Sequence, residues 1–155
     1  MKKLIVLLVL SSCVTTSTSL RPDIKDYCGE VGPLSVYADR NNGFIVCADA
    51  MLVTYMAYTL LQQKAGPLKE PWDVEYTYRN FSMDAVAITY PIEHIIKVKE
   101  GRPNSVFHEL LHAYLQETTP GKHDDHKKIC TNHIWFKAEA DFDEWPIYCY
   151  TTWRN

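Results

Sequence analysis

Two histidines four positions apart, with a glutamate beside the first and apolar residues all around them, constrain this chain more than any other feature. The segment Ser105-Val106-Phe107-His108-Glu109-Leu110-Leu111-His112-Ala113-Tyr114-Leu115 reads as a helix. Residues four apart on a helix stack on one face, so His108 and His112 aim two imidazoles at one point. Phe107, Leu110, Leu111, Tyr114 and Leu115 give the same helix an apolar surface on which to pack. The fold must therefore bury most of this helix and leave one polar stripe facing a site. Two convergent imidazoles suit zinc, which prefers four tetrahedral ligands. Glu109 lies slightly round the helix, where it can reach a water beside the metal without ligating the metal itself. H-E-x-x-H has only three fixed positions and also arises by chance. Its helical setting and the further histidines downstream favour the metal reading.

A third ligand is needed. The spacing H-E-x-x-H-x-x-G-x-x-H fails at Leu115 and Thr118. Downstream, a turn at Thr119-Pro120-Gly121 leads into Lys122-His123-Asp124-Asp125-His126, which brings the chain back toward the first helix. His123 and His126 are both candidates, being three apart. Asp124 or Asp125 either fixes a histidine tautomer through its non-ligating nitrogen or complements a helix N-terminus.

The run H-E-L-L-H-A-Y-L at 108–115, followed by G-K-H-D-D-H at 121–126, resembles the SprT-like zinc metalloproteases. The resemblance covers roughly 105–130. It implies one zinc per chain, held by His108, His112 and His126, with His126 preferred to His123 as the last His of H-D-x-H. It also implies Glu109 as the general base of peptide hydrolysis, and a zincin-like domain in which a sheet edge lies over the active-site helix. The run Phe136-Lys137-Ala138-Glu139-Ala140-Asp141 is similar to the E-x-x-A-D element of membrane-associated gluzincins, with Lys137 at the ligand position. Glu139 is thus an alternative third ligand, or part of a solvated acidic face.

The N-terminus points outside the cytoplasm. Met1-Lys2-Lys3 is a short basic region, and Leu4 to Leu10 (LIVLLVL) is an apolar run of seven residues. A transmembrane helix needs roughly 20 such residues, so the run fits a signal peptide. Leu10-Ser11-Ser12-Cys13 resembles the lipobox of bacterial lipoproteins, in which the cysteine is acylated and becomes the new N-terminus. That resemblance implies a signal peptide over 1–12, a lipidated Cys13 and tether over 13–22, and one zincin-like domain over 23–155. Val14 in place of Asp implies the outer membrane, on its periplasmic side. Export without lipid is the alternative.

Cys13 aside, four cysteines remain: Cys28, Cys47, Cys130 and Cys149. In an exported chain they are expected to form two disulfides, with three possible connectivities. Sequential pairing closes two local loops and is preferred. A zinc site of four thiolates would want C-x2-4-C pairs, and none occurs.

The 155 residues are 46% apolar and 23% charged, an ordinary composition for one globular domain. The net charge of -3 argues against a nucleic-acid partner bound through a basic face. Strands are expected over 34–38, 44–48, 72–78, 85–90 and 95–98. The first two would be joined as a hairpin through Asn42-Gly43. A buried helix, capped by Asp49, is expected over 50–64. Further helices are expected over 105–117 and from 124 through about 140. The fold class is α+β, a small and mainly antiparallel sheet packed on the active-site helix and a C-terminal helix. The expected partners are a peptide or protein substrate and, through the lipid anchor, a membrane. The competing expectation is a non-catalytic exported lipoprotein whose zinc is structural or whose motif is accidental.

Overall fold

The computed structural model describes residues 25–40, 45–78, 85–122 and 124–142. The expected signal segment over 1–12, the expected lipidation site Cys13 and tether, His123, Cys149 and the residues after 142 lie outside the described residues.

The chain forms first two antiparallel strands, β1 (Lys25–Val31) and β2 (Leu34–Asp39). Gly32 turns between them at φ 60, and a Cβ there would come within 2.5 Å of the Tyr58 ring. Glycine meets both demands, the positive φ and the close approach. Helix α1 (Cys47–Lys64) follows, and the chain returns as β3 (Trp72–Thr77), parallel to β2. A strand–helix–strand crossover of this kind makes a parallel pair. Strand β4 (Ala87–Tyr90) pairs antiparallel with β5 (Ile95–Lys99), and β5 is parallel to β3. The sheet order is β1-β2-β3-β5-β4.

The fold is α+β, as the patterning predicts, but the sheet is mixed rather than mainly antiparallel, with two antiparallel and two parallel pairings. The expected hairpin of 34–38 with 44–48 is not formed. Both edges of β2 are taken, by β1 and β3, and α1 already starts at Cys47. A short aliphatic run such as FIVCA cannot be told from a helix start by its pattern alone. Nor does Asp49 cap α1: the N-cap is Val46, and Asp49 lies in the first turn. The helix is also not buried all round. Ala50, Thr54, Ala57, Tyr58 and Leu61 face the core, while Leu52, Tyr55 and Met56 are exposed.

Alternate residues of β2, β3 and β5 are buried, so the helices cover one face of the sheet. Val36, Val74, Ile96 and Val98 join Phe107, Leu110, Leu111 and Leu115 of helix α2 (Val106–Thr118) in one core. The other face is mixed: Glu75 stands between Lys25 and Lys97, in register with Tyr37 and, through Lys97, with Ile88. Glu117, in the last turn of α2, accepts hydrogen bonds from Lys69 N, Glu70 N and Trp72 Nε1, which pins α2 to the start of β3. The disulfide Cys28–Cys47 ties β1 to the head of α1, as sequential pairing predicts. Cys130 is also held in a disulfide.

The single helix expected over 124–140 is two: α3 (His126–Thr131) and α4 (His133–Phe142). Asn132 breaks the run. Its Oδ1 accepts from Ile134 N and Trp135 N, a cap that starts a new helix. Among the described residues no helix is long and apolar enough to cross a membrane.

Candidate metal centre

Helix α2 packs on the sheet, and nine of its residues from Val106 to Leu115 are buried. His108, Glu109 and His112 are only 4–5% exposed. Buried polar side chains must find partners, and here they find each other and three neighbouring elements.

One turn of helix brings His108 Nε2 and His112 Nε2 to 2.9 Å. The ring of His126, the first residue of α3, closes the group. Its centroid is 5.4 Å from that of His108 and 4.6 Å from that of His112. One ligand nitrogen from each of His108, His112 and His126 lies within 4.8 Å of the others. Ligands about 2.0–2.1 Å from a tetrahedral zinc stand roughly 3.3–3.4 Å apart, so small ring rotations suffice to accommodate an ion. Three neutral imidazoles fit zinc and other borderline divalent ions.

The choice of His126 among the downstream candidates agrees with this geometry, whereas His123 lies outside the described residues. Glu139 does not join the group of ligand atoms. It stands behind His108, where its Oε1 is 2.9 Å from Nδ1 of the ring. At 3% exposure it is no part of a solvated acidic face either. A carboxylate on Nδ1 holds that nitrogen protonated and leaves the Nε2 lone pair facing the other rings. The break at Asn132 sets the direction of α4, which turns Trp135, Ala138 and Glu139 inward. The His126 ring has the Asp124 backbone as a hydrogen-bond partner. The Asp125 carboxylate instead caps α3, accepting from Lys128 N at 2.9 Å. This is the helix-terminus role rather than the tautomer-fixing one.

Glu109 reaches the sheet. Its Oε2 accepts a 2.7 Å hydrogen bond from the Thr89 hydroxyl of β4. Burial pushes the Glu109 carboxyl above the usual range for a carboxylate, opposed by His108 and by the Thr89 bond. Burial likewise lowers the His126 imidazole, which favours the neutral, ligating form. Ala87, Ile88 and Thr89 on one side, and Glu109, His112, Asp124 and His126 on the other, line a pocket of about 140 Å³. The glutamate and two of the three histidines thus face one concavity.

The other described histidines are elsewhere. His94 precedes β5 at φ 56 and stacks on Trp72 with centroids 4.5 Å apart, a structural role. His133 is exposed at the start of α4. Thr89 has no signal in the sequence, because nothing marks one strand hydroxyl as reaching a helix residue twenty positions on. Comparisons with protein-family models, curated proteins and solved structures gave no match. The site is therefore defined by its own chemistry, a three-histidine centre on an α+β domain.

Proposed function

We propose that this protein is a zinc-dependent hydrolase that cleaves peptide bonds. His108, His112 and His126 hold the ion, and Glu109 moves the proton. The observation that carries this reading is the shared pocket: Glu109 lines the same concavity of about 140 Å³ as His112 and His126. A purely structural zinc ordinarily has four protein ligands, whereas three leave a position for chemistry. The ligand group among the described residues has three.

A bound ion supplies Lewis acidity and lowers the pKa of water at the site. The chain supplies the rest. Glu109, with its proton affinity raised by burial, is suited to take a proton from the attacking water and return it to the departing amine. Glu139 and the Asp124 backbone hold two of the three rings in orientation. Strand β4 is at the edge of the sheet and forms a wall of the pocket, so an extended peptide can pair with its outer side and lie across the site. This placement of helix and edge strand supports the zincin-like reading and the likeness to SprT-like metalloproteases. The N-terminal sequence adds an address. A chain tethered through Cys13 in a bacterial envelope meets exported or envelope proteins rather than nucleic acid.

The test is hydrolysis of fluorescein-labelled casein by zinc-loaded protein, with Glu109→Gln beside it. Loss of a general base costs roughly 10²–10⁴ in rate, so E109Q should lose about a hundredfold or more in activity while retaining its zinc. Full activity in E109Q, or no cleavage of casein by the zinc-loaded parent, contradicts the reading.

A further inference from the structure

Strand β4 places one hydroxyl where its neighbours are hydrocarbon. Register pairs Ala87 with Val98 and Thr89 with Ile96, and Ala87, Ile96 and Val98 are all buried apolar residues on the helix-covered face. Valine has nearly the shape of threonine and would suit such a position better. Yet the single Thr89 hydroxyl proton has two acceptors within reach on one residue, Glu109 Oε2 at 2.7 Å and, more distantly, Glu109 O at 3.2 Å. Threonine is β-branched and stiff at χ1, so a strand backbone fixed by the sheet also fixes the direction of this hydroxyl.

We propose that Thr89 is a positioning residue for Glu109. Its hydroxyl anchors one carboxylate oxygen, Oε2, beside a bond from the Thr89 backbone to the same carboxylate, and so sets the orientation of the side chain in the pocket. The assignment rests on the hydrolase reading above. It adds that the proton acceptor is set by the edge strand beside the pocket rather than by its own helix alone. An unanchored glutamate samples several rotamers, whereas a group that must lie within hydrogen-bond reach of a proton gains from having one.

The test reads binding as well as turnover. A hydroxamic acid chelates a divalent ion through two oxygens and gives up a proton, which a carboxylate beside the ion accepts. Acetohydroxamate affinity of the zinc-loaded protein therefore reports on the Glu109 carboxylate without any reaction. Thr89→Val should weaken acetohydroxamate binding and lower kcat on casein, each roughly ten- to a hundredfold, the scale of one hydrogen bond to a charged group. KM and zinc content should be unchanged, and Thr89→Ser should restore most of both losses. Binding and turnover at parent levels in T89V, or losses that T89S fails to restore, overturn the role of the hydroxyl. If Glu109→Gln binds acetohydroxamate as tightly as the parent, the hydrolase reading itself is contradicted. If E109Q is weakened and T89V is not, only the present assignment is overturned.

Discussion

Single residues in the centre divide between the three histidines that could hold an ion and those that hold the histidines in place. Glu139 is of the second kind, a buried carboxylate on the far nitrogen of His108. Partners in that position typically matter roughly 10–100-fold for metal affinity. Glu139→Gln should therefore weaken zinc binding by about that factor in a chelator competition, with one ion still bound at saturation. An unchanged affinity would mean that the ring is oriented by the helix alone. His108 and His112 are legible in the sequence because a helix fixes what a separation of four means in space. His126 follows from resemblance, and its ring meets the other two. Glu139 and Thr89 are not legible in these roles, since each acts across elements whose mutual placement no local pattern encodes.

Secondary-structure elements show the same division. Helix α2 and strands β3, β4 and β5 lie within a few residues of where periodicity puts them. The departures fall where tertiary context decides: β1 forms where no strand is expected, FIVCA yields to the start of α1, and the 124–140 helix breaks at Asn132. The Cys28–Cys47 bridge locks the first two of these places, joining β1 to α1 across a sequence separation of 19. A closed loop of that size contributes roughly 3 kcal/mol by restricting the unfolded chain. The double variant Cys28→Ser/Cys47→Ser should lose about that much in urea unfolding. It should keep the zinc site, because none of the ligands lies on β1 or α1. Loss of zinc binding in the folded double variant would show that the bridge supports the centre directly.

On the scale of the whole molecule, the sheet and α1 form a scaffold, and the chain from β4 onward builds the centre. Thr89 on β4, the pair on α2, His126 on α3 and Glu139 on α4 come from four different elements. A bound ion would join α2 to α3, and binding to the folded state would add to its stability by linkage. The most direct test of the central claim is the metal content per chain, measured by elemental analysis after zinc loading and exhaustive dialysis, for the parent and for His126→Ala. The account predicts one tightly held zinc in the parent and a large loss in H126A. A parent without zinc, or an H126A variant that holds it as firmly as the parent, would contradict the three-histidine centre.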